Sequence, residues 1–150
     1  MSDSPQRYPP DAWWLLAGPV TGVVGGAVVG AVLGWLATPA EGVGPLVGDP
    51  VGSTMLGALL GVTLGVFSGV VVGAVLMFLV GRGRHASTAR PLAAVVAAAC
   101  CPAVLVLTSV IGRVELSHLH VASSAIVAAA GAVAFAWVAG TRQAALDNPA

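Results

Sequence analysis

Polar residues are gathered into short stretches of this chain, and between them lie four apolar blocks, over roughly residues 13–36, 52–80, 91–112 and 121–140. Each block approaches or exceeds the ~20 apolar residues that an α-helix needs to cross a bilayer. The pattern predicts an all-α integral membrane protein with four transmembrane helices in a compact bundle. Polar tails flank it at residues 1–11 and 141–150. Trp13, Trp14 and Trp35 stand at the two ends of the first block, matching the aromatic belts of membrane–water interfaces. The second block is long enough to require tilt or to project beyond the hydrocarbon. Pro91, at the head of the third, suits a first helical turn. Pro102, in its middle, lacks an N–H and crowds the carbonyl near Ala98, so a kink is expected there.

Within the first two blocks a glycine recurs at every fourth position. One row is Gly18, Gly22, Gly26, Gly30 and Gly34; the other is Gly57, Gly61, Gly65, Gly69 and Gly73. In a water-soluble helix each would cost about 1 kcal/mol relative to alanine. In lipid the backbone must satisfy its own hydrogen bonds, so the helix survives and the glycines become a flat strip for close contact. Rows of this spacing trace a shallow right-handed stripe, and helices meeting along such stripes cross at about −40°. Close approach adds dispersion and weak Cα–H···O contacts of ~0.5–1 kcal/mol each. The spacing is that of a glycine zipper, a packing motif shared by unrelated proteins, and all ten glycines are assigned to helix packing. Two pairings are open. The rows meet each other in an antiparallel hairpin, or one row mates with another copy or a different membrane protein. Softer small-residue faces follow in the fourth block (Ser124, Ala128, Ala132, Ala136, Gly140) and the third (Ala94, Ala98, Pro102). Residues 26–36 and 69–79 also match at eight of eleven positions. Because consecutive spans run in opposite directions, a duplication would make these inverted repeats, as in many transporters.

Composition sharpens the class. Hydrophobic residues make up 57% of the chain and charged residues 8%, against ~25% charged in soluble domains. Six arginines balance six acids, with no lysine, which leaves no basic patch for nucleic acid. Arginine-only usage with abundant Ala, Gly and Val points to a GC-rich bacterial genome. The first block far exceeds the ~7–15 residues of a signal-peptide core, and Asp3 and Asp11 accompany the single Arg7 before it, so it reads as a retained span. With four spans, Arg7, Arg82, Arg84, Arg90 and Arg142 fall on one side, while Glu41, Asp49, Arg113 and Glu115 fall on the other. This positive-inside bias places both termini in the cytoplasm of a bacterium, with the chain in the cytoplasmic (inner) membrane. Arg82, Arg84 and Arg90 form a cytoplasmic basic loop that sets topology and can attract anionic headgroups or a docking partner.

Candidate chemistry is sparse. No ionisable residue falls in the apolar core of any block, whereas proton relays, ion-coupled transporters and voltage sensors carry them. The hydroxyls there, among them Thr21, Thr54, Thr63 and Ser68, can bond back to their own helix. Cys100 and Cys101 are adjacent on one helix, badly placed to bridge each other and without further metal ligands at helical spacing. On the outer face, Arg113, Glu115, His118 and His120 form a polar cluster with zinc-type ligands, but the His-Glu-x-x-His pattern is absent and no metal is assigned. Nucleophile elbow, P-loop and dinucleotide fingerprint are also absent, so no catalytic residue, cofactor or enzymatic activity is expected. The reading that remains is a small non-enzymatic polytopic protein of the lipid bilayer. It would act through helix–helix association, as a homo-oligomer or as an accessory subunit of a larger membrane complex. The alternative is a transport or pore-forming protein moving a small solute between spans or subunits.

Overall fold

The computed structural model describes residues 10–36, 49–80, 86–111 and 118–147. They form four helices, α1 (Trp14–Leu36), α2 (Pro50–Leu79), α3 (Ala86–Ile111) and α4 (His118–Asp147), and no strand occurs among the described residues. All four are long and apolar enough to cross a membrane.

Local signals start the first two helices. The Asp11 carboxylate accepts the Trp13 N–H at 3.3 Å, as an N-cap side chain does, and α1 follows. Asp49 is extended and Pro50 opens α2, where a missing N–H has no intrahelical partner to lose. Inside α2, the hydroxyls of Thr54, Thr63 and Ser68 donate to the carbonyls of Pro50, Leu59 and Gly65, so each is satisfied on its own helix.

Helix ends and apolar blocks differ in the second half of the chain. Helix α3 starts at Ala86, which puts Pro91 inside it rather than in its first turn and removes one backbone hydrogen bond. It then continues unbroken as helix through Pro102. Helix α4 runs past residue 140 to Asp147. Arg142, Gln143, Ala144, Ala145 and Leu146 are all good helix formers; hydropathy bounds the apolar length of a helix, not its end.

The helices form two hairpins side by side. Contact is most extensive between α1 and α2, next between α3 and α4, and narrow between α2 and α3 and between α1 and α4. The buried side chains gather where the start of α1, the end of α2, the start of α3 and the end of α4 converge. Trp14, Leu76, Val80, Ala89, Phe135 and Ala139 all belong to that core. Along α3 the buried positions are Ala89, Ala93, Ala97 and Cys101; the expected Ala94, Ala98 and Pro102 are half-buried. A shift of one residue turns a helix face by ~100°. In α4, Phe135, Ala139 and Gly140 are buried, whereas Ser124, Ala128, Ala132 and Ala136 are half-buried.

Candidate functional site

The two glycine rows face each other in antiparallel register. Gly18 sits between Gly69 and Gly73, Gly22 between Gly65 and Gly69, and Gly26 between Gly61 and Gly65. Gly30 follows between Gly57 and Gly61, and Gly34 between Ser53 and Gly57. No side chain separates the backbones. A methyl group on any of the ten would overlap a carbonyl oxygen of the facing helix; at Gly30 it would also lie 2.9 Å from Gly61 Cα, and at Gly61 3.0 Å from Gly30 Cα. The obstruction is backbone on both sides, so no rotamer change relieves it. Trp14 and Ser53 extend the rows by one step each, with Gly73 against the Trp14 carbonyl and Gly34 against that of Ser53, and both residues are buried. The glycines of the rows stop at Gly18 and Gly57, but the four-residue register leads on to positions 14 and 53.

A repeat of four runs ahead of the 3.6 residues of a helical turn, so a seam this long stays in contact only if the helices wind about each other with a right-handed twist. The seam also exchanges with itself. An offset of 43 residues (69 minus 26) carries Gly18, Gly22, Gly26 and Gly30 onto Gly61, Gly65, Gly69 and Gly73, turns the contact Gly18–Gly69 into Gly61–Gly26, and leaves Gly22–Gly65 in place. The echo between residues 26–36 and 69–79 thus coincides with a local two-fold relation centred on Gly22 and Gly65.

Glycines outside the rows have different surroundings. A Cβ on Gly25 would meet nothing within 4 Å, and one on Gly131 would lie 3.0 Å from Cys101 Sγ.

Polar groups secure the well-packed end. Asp11 is 1% exposed, and its Oδ2 accepts from Arg142 Nη2 at 3.2 Å and from Nε at 3.4 Å. The Asp11 N–H donates to the Met77 carbonyl at 3.3 Å. The Arg142 guanidinium lies 5.0 Å from the centre of the Trp13 ring, which packs edge-on against Trp14. One residue therefore ties together the start of α1, the end of α2 and the last turns of α4. Asp11 and Arg142 read as tail charges in the sequence; the available signal was that both flank apolar blocks on the same side of the arginine count.

The remaining expected site residues scatter. Arg90 stands in the second turn of α3 rather than in a loop, with its guanidinium over Gly140, where a methyl group would come within 2.7 Å of Cζ. Arg82, Arg84, Arg113 and Glu115 lie outside the described residues. His118 and His120 belong to the first turn of α4, and their side chains also lie outside the description. Among the described residues no three His, Cys, Asp or Glu side chains converge, and Cys100 and Cys101 are free thiols.

Away from the well-packed end the hairpins part around a cavity of about 340 Å³. Its α1–α2 wall is largely glycine backbone, including Gly26, Gly30 and Gly61, and Leu105 and Val127 stand opposite. Thr21, Ser68, Cys101 and Phe135 line it at the end nearer the core. No charged residue lines it, and the Ser68 hydroxyl is committed to Gly65. At Thr21, Gly25 and Ala134 the cavity adjoins a groove between α1 and α4, walled by Val20, Val24 and Trp137. No protein-family model, curated protein or solved structure matches the chain.

Proposed function

We propose that this chain is a small, non-enzymatic, multi-pass integral protein of the bacterial cytoplasmic membrane, both termini cytoplasmic, acting through helix–helix association. It works as a homo-oligomer or as an accessory subunit of a larger membrane complex. The observation that carries the reading is the inverted distribution of side chains. Leu16, Phe78 and Trp137 are 74%, 70% and 71% exposed, while glycine backbone fills the α1–α2 contact and the Asp11–Arg142 pair is turned inward beside a core of Trp14, Leu76 and alanines. In water such a surface exceeds the apolar patches that monomers tolerate. In lipid it is the natural exterior, and small residues are what let helices associate. The glycine rows act as a zipper that fixes the first hairpin and leave the outward faces, such as the Val20, Val24 and Val28 ridge of α1, for other chains.

Native mass spectrometry of the tagged chain, extracted gently from its own membranes, tests this. Integer multiples of the chain mass, or a complex with other polypeptides, are expected; a bare monomer throughout would contradict it. A solute pore has less behind it, because the cavity offers two hydroxyls and a thiol rather than a continuous polar route.

A further inference from the structure

We propose that the cavity between the two hairpins holds one hydrocarbon tail of a membrane phospholipid, admitted sideways between α1 and α4. The proposal rests on the membrane reading above.

The cavity follows α1 from Thr21 to Gly34, a length of ~20 Å at the rise of an α-helix. About 340 Å³ spread over that length is a narrow channel. It is too slender for a helix, whose diameter with side chains is ~10 Å, so a second copy cannot insert a span there. A polar solute would find too few partners along it. Water needs two to four polar neighbours to settle in a cavity, and apolar cavities stay dry. An empty channel would forfeit dispersion contacts along both walls. A flexible apolar chain is the occupant that fits the length, the width and the lining, and in a bilayer it is at hand.

Access is built from the glycine that the seam does not use. Gly25 lies one residue from Gly26, yet a Cβ there would meet nothing within 4 Å. With Thr21 and Ala134 it borders both the inner cavity and the outer α1–α4 groove. A side chain at position 25 would project into this doorway without touching the seam.

The test uses the full chain in liposomes of phosphatidylcholine carrying a photoactivatable diazirine near the end of one acyl tail, with adducts mapped by mass spectrometry after irradiation. Adducts are expected on Leu105, Val127 and Ala130, which line the cavity, as well as on the outward-facing Leu59, Val95 and Val133. As the probe fraction rises, cavity adducts should saturate while outward adducts grow in proportion. Gly25→Phe should lower the cavity adducts at least tenfold and leave the outward ones unchanged, and Ala130→Phe, from the opposite wall, should do the same. Adducts confined to outward residues, or cavity adducts that rise in proportion without saturating, would overturn the proposal. Release of the chain from vesicles by alkaline carbonate, with no adducts anywhere, would overturn the membrane reading as well.

Discussion

The two hairpins share an architecture and differ in what fills the contact. Between α1 and α2, carbonyl oxygens and Cα atoms of one backbone rest on those of the other along the whole row from Trp14 to Gly34. Between α3 and α4 a layer of side chains remains, with Ala97 and Cys101 near Gly131 and with Phe135 and Ala139 buried in the same core. A side-chain layer can yield by turning a thiol or shifting a ring. A backbone seam has nothing to turn, so its response to an added atom is abrupt rather than graded. The same difference explains the cavity: the glycine rows present no side chains to reach the second hairpin, and where Val72, Leu76 and Val80 end, the hairpins separate.

The largest effect should come from the seam. Gly61→Leu or Gly65→Leu should remove the folded hairpin, exceeding the ~1–3 kcal/mol usual for overpacking, because both sides of the clash are backbone. Cross-linking in membranes reads this as lost assembly, and assembly equal to that of the unaltered chain would break the contrast between the hairpins. Next comes the clasp at the well-packed end. Asp11→Ala removes the partner of Arg142, whose side chain keeps 22% exposure. A loss of ~2–3 kcal/mol is expected, less than the ~3–5 kcal/mol for breaking a fully buried pair, measured by detergent-induced unfolding followed through tryptophan fluorescence. Leu76→Ile, a volume-conserving change at a fully buried position, should cost under ~1.5 kcal/mol by the same measurement. Gly131→Ala should change stability least, within ~1 kcal/mol, since the only close neighbour is the Cys101 thiol at 3.0 Å. A collapse in that variant would mean that the second hairpin is as unforgiving as the first.

Four helices were legible in the hydropathy pattern because each apolar block is long and cleanly bounded. The rows of α1 and α2 were legible because glycine stands out among valine and leucine, so only one register fits. Helix α3 carries alanines at 93, 94, 97, 98 and 99, several faces look equally small, and nothing in the sequence separates the face of Ala94 and Ala98 from that of Ala93 and Ala97. The Asp11–Arg142 pair joins residues 131 positions apart, beyond any local pattern. The cavity is a space between two hairpins whose relative placement depends on the core at the far end, and no single segment encodes it.

Gly25 and Gly26 place the central claim on adjacent residues of one helix. The decisive measurement is the unfolding free energy of Gly25→Ala and of Gly26→Ala in lipid bicelles. Alanine at 25 enters open space and should be neutral or stabilising by up to ~1 kcal/mol. Alanine at 26 drives a methyl group onto the Gly61 backbone and should lose at least ~2 kcal/mol relative to its neighbour. Equal stability of the two variants would contradict a seam of backbone on backbone.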